Sequence, residues 1–342
     1  MTSVPSRRES NLELARVLAM SAIMLHHFLI HALRLQEIDG ALYLNLNMFV
    51  FFGVDVFFLI TGFFGIRLSL VRVVKFIVLI AFFDAVNVAM TLAAGEHLGA
   101  MCLLQLVAFP VSHSRYWFMQ VYLLVMLMSP FLNASLAQMR LPALRSAVFL
   151  LSCAMWYSCT IGHNCSGYGA SFILGLYLYI VGAWLRRDID LFSRWSARRY
   201  FLLALAILVI ALVPLNACIL LDFYGKGGIL NYTGVFMTLA SCAILLGCAR
   251  LSFRSALVNR LGFASVGCYL LQDGIFGHTV LYAWQNRLFH ECGSMTLVIG
   301  QFVVVFLLFW LLSWPLTAIA RRLGDLASRL IPARLASRFT FS

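Results

Sequence analysis

Long apolar runs separated by short polar segments fill the chain from one end to the other. One membrane crossing needs about 20 apolar residues, and ten runs approach or exceed that length. They fall at residues 12–34, 45–66, 71–94, 116–137, 143–161, 168–187, 199–221, 230–250, 262–284 and 295–319. Inside lipid the backbone must satisfy its own polar groups, so runs of this length predict helices. The pattern therefore predicts an all-α membrane protein, a bundle of about ten transmembrane helices. A further apolar stretch, 100–111, is short for a crossing and reads as an interfacial or re-entrant piece. If it crosses, the count becomes eleven and the later topology inverts. The polar segments are too short for a separate soluble domain, so residues 1–342 read as a single integral-membrane domain.

Composition sharpens that picture. Hydrophobic residues make up 63% of the 342 and charged residues 11%, against about 25% charged in a soluble domain. The charges are also placed unevenly. With ten spans and both termini inside, 20 of the 25 Lys and Arg lie in inner segments. Only Arg34, Arg115, Lys226 and Arg287 lie in outer loops, and Arg16 is in the first span. Cytoplasmic loops carry such an excess, so the distribution favours ten spans over eleven. It predicts a multi-pass protein of the cell membrane with cytoplasmic N- and C-termini. Residues 320–342 read as a basic, amphipathic cytoplasmic tail. The net charge of +12 is thus dispersed over loops that face anionic lipid, and nucleic acid is not an expected partner. The first run is long and holds Glu13 and Arg16, which reads as a span rather than a cleavable signal peptide. The nine cysteines show no metal-ligand spacing, and Cys159 and Cys165 flank an outer loop where a disulfide is an option.

Candidate chemistry lies in the polar residues kept at depth. Arg16 and His27 share one apolar segment, Asn11–Ile30. Eleven residues of helix give about 16 Å of rise and only about 20° of angular offset, so both project from one face. A charge at the bilayer centre costs about 2.5–3.5 kcal/mol even on the mildest scale. Arg16 is near the inner boundary, where it can snorkel or pair with Glu13 three residues earlier. His27 is deeper and too short to snorkel, so it is either a satisfied structural histidine or a catalytic one. His31, at i+4, gives it a zinc-type spacing. With no acidic or cysteine ligand nearby in sequence, no metal is expected. Asp55 is deep in the second run and reads as functional or paired with a cation, while Thr61-Gly62 in that run reads as helix packing. Gln272 and Asp273 are adjacent at depth in the ninth run. Arg67, Arg72 and Lys75 follow the second run and gather with Arg16 at the inner mouth.

Taken in order, these residues resemble the acyltransferase-3 family of integral membrane acyltransferases. The resemblance covers most of the chain. Its firmest part is Asn11-Leu-Glu-Leu-Ala-Arg16 with His27, a basic residue, ten-residue spacer and histidine. Gly53-Val-Asp-Val-Phe-Phe-Leu-Ile-Thr-Gly62, Tyr116-Trp-Phe-Met119 and Ser129-Pro-Phe-Leu-Asn133 match further blocks. Where the family often has Tyr-Leu-Ile-His, this chain has Tyr269-Leu-Leu-Gln272, and Thr61 replaces a serine. The resemblance implies transfer of an acyl group, typically acetyl, from cytoplasmic acyl-CoA to a carbohydrate across the membrane. It implies no tightly bound cofactor. Acetyl-CoA or another acyl-CoA is the donor, and a hydroxyl of a cell-surface polysaccharide or its lipid-linked precursor is the acceptor.

On that reading His27 is the general base or the acyl carrier, and Asp55 or Glu13 orients or balances the site. Arg16, Arg67, Arg72 and Lys75 meet the anionic donor. Tyr116, Trp117, Gln272 and Asp273 are candidate substrate contacts. The competing reading is a proton-coupled transporter or flippase, which buried Asp, Arg and His also suit. No inverted repeat or pair of broken helices supports it.

Overall fold

The computed structural model describes residues 10–111, 116–160, 171–222, 229–292 and 294–340. Among the described residues, each predicted apolar run lies mostly on helix. The first becomes α1 (Ser10–His27) continued by a π-helical turn, π1 (Phe28–Ala32). A short α2 (Leu35–Ile38) leads to the second run, which is two helices, α3 (Gly40–Met48) and α4 (Gly53–Phe64). Then come α5 (Leu70–Ala93), α6 (Ala100–Ala108), α7 (Trp117–Gln138), α8 (Leu141–Thr160) and α9 (Phe172–Arg187). After α10 (Ile189–Phe192) follow α11 (Ala197–Leu220), α12 (Val235–Ala249) and α13 (Ala256–Gln272). A second π turn, π2 (Gly277–Leu281), leads into α14 (Tyr282–Cys292), α15 (Met295–Arg329) and α16 (Ala333–Arg338). Six helical stretches among the described residues are long and apolar enough to cross a membrane, and α12 is a shorter apolar helix. The chain is an all-α, multi-pass membrane protein. Residues 100–111 contain only the nine-residue α6, too short to span.

Local chemistry explains where the helices begin. The side chains of Asp39, Ser69, Ser171, Ser196 and Ser255 each accept a backbone N–H in the first turn of the helix that follows. Such caps satisfy donors that would otherwise be orphaned. Small residues then decide how closely the helices pack. A Cβ on Gly62 would lie 2.0 Å from the Tyr179 carbonyl oxygen, and one on Gly182 would lie 2.2 Å from that of Leu59. Helices α4 and α9 therefore touch backbone to backbone, as the Thr61-Gly62 pair suggested. Gly53 likewise brings α4 close to α1, where a Cβ would lie 2.5 Å from the Ala19 carbonyl oxygen. A closed set of hydrogen bonds fixes the loop after α4. Asn133 Nδ2 donates to the Ile66 carbonyl, Tyr179 Oη donates to Asn133 Oδ1, and the Ile66 N–H donates to Tyr179 Oη.

The tail departs from its expected boundary. Helix α15 runs through residue 319 to Arg329, and the chain end folds back on the start of α5. There Phe339 accepts the Leu70 N–H, and Asp325 pairs with Lys75. Several sequence expectations, the Cys159–Cys165 disulfide and the placing of Arg7, Arg8, Arg115 and Lys226 among them, lie outside the described residues or side chains.

Candidate active site

Helices α1 and α13 run side by side in the same direction. Near their starts the Ser255 N–H donates to Ser10 Oγ. One turn further, Gly262 leaves room for Glu13, whose Oε2 would be 2.1 Å from a Cβ there. Glu13 Oε1 accepts from Arg16 Nη1 at 2.8 Å, the pairing that the i,i+3 spacing predicted. At the far end α13 stops at a bend formed by Asp273 and Gly274, then resumes as π2. Gly274 packs on the Asn87 side chain and Gly277 on the Gln272 carbonyl, with no space for a Cβ at either.

That bend delivers Asp273 to His27. His27 Nδ1 lies 3.9 Å from Asp273 Oδ1, and both side chains are buried. His278 Nε2 sits 2.9 Å from the same oxygen. His31, from π1, lies between them, its ring 5.5 Å from that of His27 and 4.7 Å from that of His278. Single π turns inside α-helices occur frequently at functional sites, and here two of them carry the outer histidines. His26 keeps its ring 5.5 Å from that of His27, but its hydrogen bond goes elsewhere. Its Nδ1 is 2.7 Å from Asn47 Oδ1 and its ring meets Phe51 edge-on.

The expectation that no acidic group accompanies the His27–His31 pair is corrected by the fold. His27, His31 and Asp273 each present a ligand-type atom within 4.8 Å of the others. Two imidazoles and a carboxylate are a donor set that suits a divalent ion. The same carboxylate oxygen is already engaged by His278.

The remaining predicted residues separate into near and far. Trp117 lines a narrow cleft of about 20 Å³ beside His27, with Phe51, Tyr232 and Tyr269. Tyr116, a candidate substrate contact, is fully buried, and its hydroxyl donates to the Leu270 carbonyl at 2.8 Å. Asn87 donates to the same carbonyl, so the two brace the end of α13. Gln272 is buried next to Asp273, and its Nε2 has no hydrogen-bond partner among the described residues. Asp55 is fully buried but turns toward α12, facing Ser241 without a close hydrogen bond. The structure brings Asp273, and not Asp55, to His27.

Two cavities flank the histidines along α1. The first, about 470 Å³, is lined by Glu13, Arg16, Thr61, Tyr122, Gly262 and Arg321 among others. The second, about 520 Å³, includes His31, Arg34, His278, Tyr282 and Arg287 in its wall. Of the four predicted donor-binding cations, only Arg16 lines the first cavity. Arg67 follows the lining residue Ile66 and accepts a hydrogen bond from Arg72 through its carbonyl, whereas Lys75 is paired with Asp325. Arg321, read from sequence as part of the tail, joins Arg16 instead, with its guanidinium 3.9 Å from the centre of the Phe263 ring.

Sequence alone leaves His278 unassigned and puts Arg321 in the tail, for different reasons. His278 is on the neighbouring turn only because of the bend after Gln272. Arg321 lies on a helix that continues past the apolar run.

No curated protein and no solved structure matches this chain. The model of an acyltransferase domain, Acyl_transf_3, matches residues 9–318, essentially the whole chain. The chain belongs to the acyltransferase-3 family and is a membrane acyltransferase.

Proposed function

We propose that the protein transfers an acyl group, typically acetyl, from cytoplasmic acyl-CoA to a hydroxyl of a carbohydrate on the opposite side of the cell membrane. One observation carries this reading: His27 and Asp273 lie between two cavities that open toward opposite ends of the same helix. The about 16 Å rise from Arg16 to His27 separates a cationic mouth from the reacting group.

In this reading the first cavity faces the cytoplasm and takes the donor. Arg16 and Arg321 meet its phosphates, since guanidinium groups hold phosphate oxygens in charge-assisted pairs. Arg67 and Arg72 are close enough in sequence to the mouth to extend that field. Lys75 is already neutralised by Asp325 and contributes less. The thioester reaches toward His27, and the acceptor enters from the second cavity.

His27 then acts in one of two ways. As general base it takes the proton of the acceptor hydroxyl while that oxygen attacks the thioester carbonyl. The coenzyme leaves as a thiolate and is reprotonated. As acyl carrier, its free imidazole nitrogen attacks the thioester first and releases the coenzyme thiolate; the acceptor hydroxyl then takes the acyl group, releasing the imidazole and its proton. Both need a neutral imidazole held in one orientation and an imidazolium stabilised as it forms. Asp273, at 3.9 Å, is beyond hydrogen-bond reach of His27 and would act through its charge, favouring the imidazolium as it forms.

The test uses purified protein with a labelled acyl donor and a carbohydrate acceptor. His27→Ala should remain folded while transfer falls by about 100-fold or more, the effect of losing a general base. His26→Ala should be much milder. Movement of unmodified carbohydrate with no acyl transfer would favour the transporter reading. Single-turnover labelling separates the two chemical routes, because only the carrier route leaves label on the protein without acceptor.

A further inference from the structure

The wall of the second cavity carries more positive charge than its location calls for. Four Lys or Arg fall in the outer loops of the ten-span topology, where cations are scarce. Two of them, Arg34 and Arg287, converge on this one cavity from distant parts of the chain. Their convergence is built. Asn286 Nδ2 donates to the Ala32 carbonyl at 2.9 Å, which ties α14 to the end of π1 and brings Arg287 and Arg34 into one cavity wall. Arg34 itself has a φ of 49°, a left-handed conformation that an arginine adopts only where its surroundings impose it.

The negative counterpart is small. Among the described residues of the wall Glu37 is the one acidic residue, and it pairs with Arg34 loosely, at 3.5 Å with both side chains more than half exposed. Among the described residues Arg287 has no ion-pair partner. Polar side chains complete the lining. His31, Gln36, His278 and Asn286 share the wall and supply donors and acceptors for sugar hydroxyls. The size suits one or two sugar units, within the range of about 300–1,000 Å³ for ligand cavities.

We propose that the acceptor is an anionic carbohydrate, whose carboxylate or phosphate is held between Arg34 and Arg287 while a neighbouring hydroxyl is presented past His278 toward His27. This rests on the acyl-transfer reading for its topology and its direction of entry. Arg34 and Arg287 are specificity residues here, remote from the reacting atoms.

The experiment measures binding first and transfer second, with the full chain in lipid nanodiscs. The probes are a glucuronate-containing oligosaccharide, a size-matched glucose oligosaccharide and a phosphate-bearing sugar of similar size. At least one acidic probe should bind about tenfold or more tighter than the neutral one, as a charge-assisted pair requires. Which acidic probe wins identifies carboxylate or phosphate. The double variant R34Q/R287Q should lose that preference while keeping neutral-sugar and acetyl-CoA binding. Equal affinity for acidic and neutral probes, no binding of any probe, or a preference that survives in the double variant would overturn the proposal. Acyl transfer is read in the same preparations. An acidic preference without transfer would sink the acyl-transfer reading alone, and transfer to neutral sugar without preference would sink this proposal alone.

Discussion

Asp273 and Gly262 are the two residues whose replacement separates the steps most cleanly. Asp273→Asn keeps the shape of the side chain but removes the charge that His27 and His278 share. At 3.9 Å the carboxylate acts on His27 through charge, and an effect of one pKa unit on the imidazole corresponds to about tenfold, so transfer should fall by about tenfold or more with little change in acyl-CoA binding. An unchanged rate would mean that the Asp273 charge does not act on His27. Gly262→Ala acts at the other end. Its new methyl would displace Glu13, and with it the salt bridge that holds Arg16 at the first cavity. The KM for acyl-CoA should rise while the acceptor KM holds. If both rose together, the first cavity would not be the donor's. At this scale the sequence was informative about Arg16, Glu13 and His27, because one helix and its period relate all three. It was silent on the carboxylate that meets His27, because Asp273 and Asp55 are equally apolar in their surroundings and only packing tells them apart.

Among the elements, the turn after α4 shows how a motif residue acts away from the chemistry. Asn133 closes a ring of hydrogen bonds with Tyr179 and Ile66, and Ile66 lines the first cavity. Asn133→Ala leaves the buried Tyr179 hydroxyl and the Ile66 carbonyl short of partners. The cost should be about 1–3 kcal/mol, read as a lower thermal midpoint in detergent, with weaker donor binding as the loop loosens. A midpoint equal to wild type would mean that water replaces the amide.

The junction of α8 and α9 has a different signature. Arg145 holds Asp188 with two bonds, at 2.6 and 2.7 Å, and Trp184 adds a third. The Arg145 hydrogen bonds, with help from Trp184, hold the Asp188 carboxyl below its ordinary pKa. A group with a depressed folded pKa stabilises above its unfolded value of about 3.9 and loses that contribution as pH falls through the folded one. Asp188→Asn should therefore lower the thermal midpoint at pH 7, and the difference from wild type should close below about pH 4. A gap that persists in acid would assign the effect to shape rather than charge.

For the molecule as a whole, the decisive expectation is sidedness. The placing of Lys and Arg puts the α14 end outside and the segment around Arg194 inside. In a single-cysteine background, His290→Cys should react with an impermeant thiol reagent added to intact cells, and Arg194→Cys should not. The opposite pattern would exchange the two cavities and reverse the direction of transfer. Both reporters are exposed in the fold, so a silent result at either is informative about access and not about burial.

By itself, the sequence determined that this is a helical membrane protein, where its apolar segments begin and end, and that Arg16 and His27 share a face. Hydrophobic length and helical period are local properties, and lipid leaves the backbone little alternative. Its family likeness likewise rests on short motifs that are contiguous in the chain. The tertiary structure decided which distant groups meet. It bent the chain after Gln272 to set Asp273 and His278 beside His27, turned Asp55 toward α12, and buried Tyr116 as a brace under α13. It also brought Arg321 to the cavity of Arg16 and drew Lys75 into a pair with Asp325. These outcomes depend on small glycine contacts and two π turns that summed hydrophobicity does not register. Contact across the bundle is a property of packing, and no periodicity within one helix encodes it.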